Sequence, residues 1–341
     1  MAPRAVRFTG DGVEIAGEVI TPAGQPPFPG VVMLHGAGHG ERDFQRAIAE
    51  RFVGEGVASL IFDRRGHGES DGPQDMDLFV LGHDAAAAWR FLAEQPDVDP
   101  SRVGLWGYSN GAWVASLAAA ELPEVAFLIL AGAAGVTPGR AEAYRRAQDL
   151  RAQGITLETV AAVERAWTLI FGYIGTGSPD DHPREELARL AAVIRADAAL
   201  EGIAVPEFVR DRPELDSVPR FDRPPLNGSL DALAGDSPDM GYDPIPTLMS
   251  LRCPTLVVLA EHDANVPPEE SLRQFTVVAK SRPDVTVEML AGTGHSFTAT
   301  AISERDGSEL LRRPLRRDEY YPGYLDLMAT WLAGVTRNAT A

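Results

Sequence analysis

The strongest constraint on the fold is a repeated pattern in which short, continuously apolar runs alternate with segments of helical periodicity. Gly30-Val31-Val32-Met33-Leu34-His35 ends in a glycine-rich turn. Val57-Ala58-Ser59-Leu60-Ile61-Phe62-Asp63 and Arg102-Val103-Gly104-Leu105-Trp106-Gly107-Tyr108 repeat the form. Lacking polar alternation, such runs read as strands covered on both faces. Between them Arg42 to Gly54 reads as a helix, and so does Leu78 to Glu94, whose Leu78, Leu81, Ala85, Ala88, Trp89 and Leu92 share one face. Asn110 to Glu121 is a helix of small residues, and Val125 to Leu130 is a further strand. This alternation requires a mostly parallel, twisted sheet with right-handed crossovers and helices on both faces, an α/β architecture. Upstream, Val13 to Ile20 alternates apolar and polar residues after the turn Gly10-Asp11-Gly12, so a hairpin of half-buried strands is expected to open the chain.

The rhythm stops near Gly135 and resumes at Pro254. Pro138 to Gln153, Thr156 to Tyr173 and Pro183 to Leu200 carry helical periodicity, and Pro206 to Pro246 is proline-rich and irregular. A connection this long needs structure of its own. The expectation is one α/β domain, residues 1–135 and 247–341, interrupted by an inserted helical lid over 136–246. The strand Thr255 to Ala260, the helix Glu269 to Lys280, the strand Val285 to Leu290 and a helix near Tyr324 to Gly334 complete it.

Gly107-Tyr108-Ser109-Asn110-Gly111 lies where a buried strand turns into a helix, the context of a nucleophile elbow. Glycines at 107 and 111 remove side chains that would clash in so sharp a turn, and the serine hydroxyl is lifted toward the positive end of the following helix. A serine needs a base to take its proton. Of the seven histidines, His295 in Gly292-Thr293-Gly294-His295-Ser296-Phe297 follows the last expected strand and opens at the same sheet edge as the elbow. His35 and His67 read as structural residues beside glycine turns, and His39, His83, His182 and His262 have no spacing that demands a role. A carboxylate must hold the imidazole tautomer. Asp263 at the end of Val257 to His262 suits that task, with Glu261 the weaker substitute, and the chain order serine, aspartate, histidine is that of one fold class of serine hydrolase. Two main-chain N–H groups should bind a developing oxyanion: that of Asn110, and that of Ala37 in His35-Gly36-Ala37-Gly38, with Gly38 as the alternative donor. Gly38, Tyr108, Trp167 and Phe171 are candidates for contact with substrate, although the two lid aromatics equally suit packing within an amphipathic helix.

Composition narrows the partners. With 49 acidic against 31 basic side chains the net charge is -18, which repels phosphate backbones and anionic lipid headgroups. The expected partner is a small acyl substrate, with neither nucleic acid nor membrane, while self-association into a homo-oligomer stays open. A single cysteine, Cys253, precludes an intramolecular disulfide and a cysteine metal cluster. Met1 to Thr9 lacks the apolar run of a signal peptide and no stretch reaches the ~18 consecutive apolar residues of a membrane span, so a cytoplasmic address is expected. Gly36-Ala37-Gly38-His39-Gly40 lacks the third glycine of a dinucleotide loop, at Glu41, and there is no Walker loop or His-Glu-x-x-His, so neither cofactor nor metal is expected.

These motifs together resemble the α/β-hydrolase superfamily, in particular bacterial serine carboxylesterases of the dienelactone-hydrolase and acyl-peptidase-like group. The resemblance runs through Asp11-Gly12, His35-Gly36-Ala37-Gly38 with Glu41-Arg42-Asp43, Asp63-Arg64-Arg65-Gly66-His67-Gly68-Glu69-Ser70, and the elbow. It continues through Tyr242-Asp243-Pro244, Cys253-Pro254-Thr255-Leu256, Ala260-Glu261-His262-Asp263 and Gly294-His295-Ser296-Phe297. It implies an α/β-hydrolase fold, cofactor-free acyl hydrolysis, and a Ser109, Asp263, His295 triad. The lid matches no named pattern, so substrate choice stays open among ester, thioester, lactone and peptide cleavage, acyl transfer and a biosynthetic cyclase or lyase reaction. A receptor that kept the fold without the chemistry is the non-enzymatic alternative.

Overall fold

The computed structural model describes residues 3–177, 183–197, 214–220, 223–229, 235–298 and 313–338. Its strands are β1 (Pro3–Thr9), β2 (Glu14–Ile20), β3 (Phe28–Leu34), β4 (Ala58–Phe62), β5 (Val98–Tyr108), β6 (Leu128–Ala131), β7 (Glu214–Arg220), β8 (Arg223–Ser229), β9 (Thr255–Ala260) and β10 (Val285–Leu290). Its helices are α1 (Arg46–Gly54), α2 (Leu78–Ala93), α3 (Asn110–Glu121), α4 (Pro138–Ala152), α5 (Leu157–Thr176), α6 (Arg184–Ala196), α7 (Pro244–Ser250), α8 (Pro268–Ser281) and α9 (Pro322–Asn338). The chain divides into two compact units: Met1–Gly135 with Pro244–Asp263 and Pro268–Ala341, and Val136–Asp243 with Ala264–Pro267.

In the first unit eight strands form one sheet in the order β1-β2-β4-β3-β5-β6-β9-β10. The pairs β1·β2 and β2·β4 are antiparallel, and every pair from β4 to β10 is parallel. This is the mostly parallel sheet that the uninterrupted apolar runs require. Alternate residues of each central strand feed opposite layers. Val31 and Met33 of β3, Trp106 of β5, Ile129 of β6 and Val258 of β9 share a core with Phe52 of α1 and Tyr324, Met328 and Leu332 of α9. Helices α2 and α3 pack on each other and on β3 and β5, where Val32, Leu34 and Leu105 are also fully buried. All the parallel strands end at one edge, so the loops after β3, β5, β9 and β10 open together.

The second unit holds α4, α5, α6, β7 and β8. Thr137 and Thr156 cap α4 and α5, their hydroxyls accepting from Arg140 N at 3.2 Å and Thr159 N at 3.3 Å. Its core is built from Ala143, Ala147, Val163, Trp167, Ile170, Phe171 and Ile174 with Met240. Gly139 lets α4 approach α5 closely, since a Cβ there would stand 2.6 Å from that of Phe171. The stretch Pro206 to Pro246, expected to be irregular, contains the antiparallel pair β7–β8. Pro219, Pro224 and Pro225 hid it from the sequence pattern, and they fall between the residues that pair, where the register shifts. Residues 244–246, expected in the lid, begin α7, which packs on α3 and α8 in the first unit. Among the described residues no helix is long and apolar enough to cross a membrane, and no group of three or more His, Cys, Asp and Glu side chains could hold a metal ion. His182 lies outside the described residues.

Candidate active site

The turn from β5 into α3 carries the nucleophile candidate. Ser109 has φ 54° and ψ −117°, a region that residues with a Cβ avoid. Its neighbours make the turn sterically feasible. A Cβ on Gly107 would meet Gly111 O at 2.1 Å, and one on Gly111 would meet both Leu34 O and His35 O at 2.6 Å. The backbone of Ser109 is fixed by its N–H, which donates to Ala131 O at 2.8 Å.

The loop after β10 brings His295 to this serine: Nε2 lies 2.9 Å from Ser109 Oγ. Nδ1 lies 2.7 Å from Asp263 Oδ2, at the end of β9. A carboxylate only accepts, so Nδ1 carries the proton and Nε2 is left as the acceptor of the serine O–H. His295 and Asp263 are 5% and 3% exposed, so this chain of hydrogen bonds is nearly dry and weakly screened. Glu261, the weaker candidate for the acid, does not touch His295; its carboxylate accepts from Gly292 N at 2.8 Å and braces the base of the same loop.

Two aromatic residues fix the histidine loop. The Tyr108 hydroxyl donates to His295 O at 3.1 Å, joining the elbow directly to that loop. Phe297 is fully buried with φ 51°, a conformation a bulky residue holds only when its surroundings force it. Its ring stacks on Tyr324 at 4.3 Å, and its carbonyl accepts from Tyr321 N at 2.8 Å, so α9 anchors the turn. Tyr108, expected to touch substrate, therefore has a structural contact that sequence spacing does not reveal.

The loop after β3 lies against the same serine. A Cβ on Gly36 would stand 2.9 Å from the Tyr108 ring and 3.5 Å from Ser109 Cβ, so only glycine allows this approach. Among the described residues the N–H groups of Ala37 and Asn110 have no acceptor, and Asn110 opens α3, where the positive end of the helix dipole falls. Gly38 is exposed, and a Cβ added to it would stand in open space.

The two lid aromatics among the sequence candidates belong to the second unit. Trp167 and Phe171 are 3% and 0% exposed, stacked on each other at 5.1 Å within the second unit, with the Arg146 guanidinium 4.4 Å above the Trp167 ring. Their rings serve the packing of that unit. His35 is buried, and its Nε2 has no partner among the described residues. Burial and then the Arg64 charge hold its imidazole well below the ordinary range, so it is neutral. Arg65 forms a buried pair with Asp84 at 2.7 Å, and the same carboxylate accepts from Asp11 N at 2.8 Å, tying down the opening hairpin. Sequence reasoning gave no role to Arg64, whose buried guanidinium donates to Gly36 O at 3.1 Å.

A model of the alpha/beta hydrolase family matches residues 31–304. The chain is 38% identical over 112 residues to quorum-quenching protein AidA of Acinetobacter baumannii, covering 32% of this chain and 37% of that protein. It is 35% identical over 105 residues to thiohydrolase aneE of Aspergillus aculeatus, covering 30% of this chain and 32% of that one. It thus spans about a third of the length of these two relatives. Among solved structures, the alpha/beta hydrolase GrgF from Penicillium sp. sh18 is similar with TM-score 0.56 and 18% identity, covering 99% of this chain and 100% of that chain.

Proposed function

This chain belongs to the alpha/beta hydrolase family, and from that premise we propose that it is a serine hydrolase that cleaves carboxylic esters through an acyl-enzyme on Ser109. One observation carries the reading: a continuous hydrogen-bonded line from Asp263 Oδ2 through His295 to Ser109 Oγ, with steps of 2.7 and 2.9 Å. A hydroxyl within hydrogen-bond reach of a correctly protonated imidazole is ready to lose its proton as it attacks.

In the first step Ser109 Oγ bonds to the substrate carbonyl carbon while His295 Nε2 takes its proton. The carbonyl π pair moves to oxygen, and the N–H groups of Ala37 and Asn110 hold the resulting oxyanion. Collapse re-forms the carbonyl and expels the alcohol, which takes the proton from His295. Water then attacks the acyl-enzyme with His295 again as base, releasing the carboxylate and restoring Ser109. Asp263 keeps the imidazole oriented and stabilises its charged form throughout. No step calls on a metal or an organic cofactor. Within the family we group the enzyme with carboxylesterases of the dienelactone-hydrolase type, on the motifs around residues 35–43, 63–70 and 294–297.

The similarity to a thiohydrolase supports a second reading, thioester cleavage by the same groups. A panel of p-nitrophenyl esters, acyl thioesters and lactones separates the two by kcat/KM. In wild type, ester turnover is expected, and Ser109→Ala should lower it by a factor on the order of 10⁶ if serine and histidine act as a unit. A loss of only a few-fold removes Ser109 from the mechanism.

A further inference from the structure

Arg64 is the second residue after β4, in the turn Asp63-Arg64-Arg65-Gly66-His67, and the chemistry above makes no use of it. Its side chain is 4% exposed and reaches under the loop after β3. There Nη1 donates to Gly36 O at 3.1 Å, and Nη1 and Nη2 lie 3.5 and 3.4 Å from Ala37 O. The carbonyl of Gly36 and the N–H of Ala37 are the two ends of one planar peptide group. A cation bonded to the oxygen end draws electron density away from the nitrogen and strengthens its N–H as a donor, because hydrogen bonds in a chain polarise one another. Burial preserves the effect, since a guanidinium with little water around it is weakly screened.

We propose that Arg64 is a positioning residue for oxyanion stabilisation: its guanidinium fixes and polarises the Gly36–Ala37 peptide so that the Ala37 N–H meets the developing negative charge as a strengthened donor. This rests on the reading of Ala37 as an oxyanion donor.

The guanidinium is itself held in place. His67 Nδ1 lies 3.0 Å from Arg65 O, which can only accept, so Nδ1 carries the proton and Nε2 accepts from Arg64 Nη2 at 3.2 Å. The backbone N–H of Arg64 donates to Gly40 O at 2.7 Å. Gly40 packs so tightly that a Cβ on it would fall 2.3 Å from the His67 ring. The Asp63 carboxylate accepts from Arg42 N at 2.8 Å and Glu69 N at 2.9 Å, joining the loop that carries Ala37 to the turn that carries Arg64. A lysine could supply charge here but not a planar fork spanning both carbonyls and the imidazole.

The test compares wild type with Arg64→Gln and Arg64→Lys, using the infrared carbonyl stretch of a slowly deacylating cinnamoyl-enzyme together with kcat and KM for p-nitrophenyl acetate. In wild type the stretch should lie below that of the free ester in water. In Arg64→Gln it should move back toward the free ester, with kcat lower by about tenfold, less than the loss of a whole donor, and KM within about twofold. Arg64→Lys should fall between the two. A stretch and kcat unchanged in both variants, with only the melting temperature lowered, would make Arg64 merely structural and overturn the inference. Should Arg64→Gln fail to fold, Arg64→Lys decides on the same spectrum, an unshifted stretch being the contrary result. If the wild-type stretch already matches the free ester while the acyl group is found on Ser109, the reading of Ala37 fails and the inference with it, leaving the nucleophile intact.

Discussion

Ser109, like Phe297 in the histidine loop, is held in a strained backbone conformation. Its positive φ is tolerated because Gly107 and Gly111 leave room for the backbone to turn, and because Ala131 O accepts its N–H. Gly107→Ala should therefore be severely disruptive: its new Cβ would meet Gly111 O at 2.1 Å, and backbone cannot swing aside as a flexible side chain would. The expected loss is more than about 3 kcal/mol in urea unfolding, or failure to fold. A variant with wild-type stability and turnover would contradict the elbow geometry. Asp263→Asn tests the next link. An amide can offer its NH₂ to Nδ1 and stabilise the wrong tautomer, leaving Nε2 protonated. Stopped-flow ester hydrolysis should find kcat reduced by roughly 10³–10⁴ with KM little changed; an equal fall in both kcat/KM and affinity for a substrate analogue would point to a role in binding instead.

At the scale of elements, each loop of the site is held from outside the chemistry. Helix α2, which covers β3 and β5, begins at Asp77, whose carboxylate accepts from Phe79 N at 2.8 Å and Val80 N at 3.2 Å. Asp77→Ala should lower stability by about 1 kcal/mol without altering kcat. Chemical denaturation checks this, and a variant as stable as wild type would show that the cap contributes nothing. Much of this level is legible in the sequence. Strands β9 and β10 and helix α3 occupy the segments the apolar runs and helical spacing indicate; in β9, buried along its whole length, burial on both faces leaves little choice of residue, whereas β10 is a half-exposed edge strand. Strand β5 begins four residues earlier than its apolar run, at Val98, because Phe28 pairs with Val98 across a register shift that Asp99, Pro100 and Ser101 conceal. The segment Arg42 to Gly54 divides into a 3₁₀ turn, Arg42–Gln45, followed by α1, a distinction periodicity does not make. The elbow is a local motif and so could be read directly. By contrast, the Arg64 contact with Gly36 spans 28 residues and that of Tyr108 with His295 spans 187, and nothing in the spacing of either pair announces it. Trp167 and Phe171 show the reverse ambiguity, since an aromatic pair at helical spacing has one pattern whether it lines a pocket or fills a core.

For the molecule as a whole, the chain places a neutral imidazole at the centre of its α/β unit. His35 is buried with its pKa depressed by desolvation and by Arg64, whereas in the unfolded chain it titrates near an ordinary value of about 6.5. At pH above about 6.5 both states are neutral and its contribution is complete. Below that, the unfolded chain binds the extra proton, so stability falls with pH down to the depressed folded value, by at most about 1.4 kcal/mol per pH unit. Urea midpoints between pH 8 and 5 should decline more steeply in wild type than in His35→Gln, and equal slopes would show that His35 is not the group responsible.

Activation of Ser109 as the nucleophile can be read in the mass of the protein after exposure to a fluorophosphonate. One covalent phosphonyl adduct is expected on the folded wild-type protein, mapped by peptide fragmentation to Ser109 and formed far more slowly in His295→Ala. Folded wild-type protein that stays unmodified, or carries the label on another residue, would contradict it.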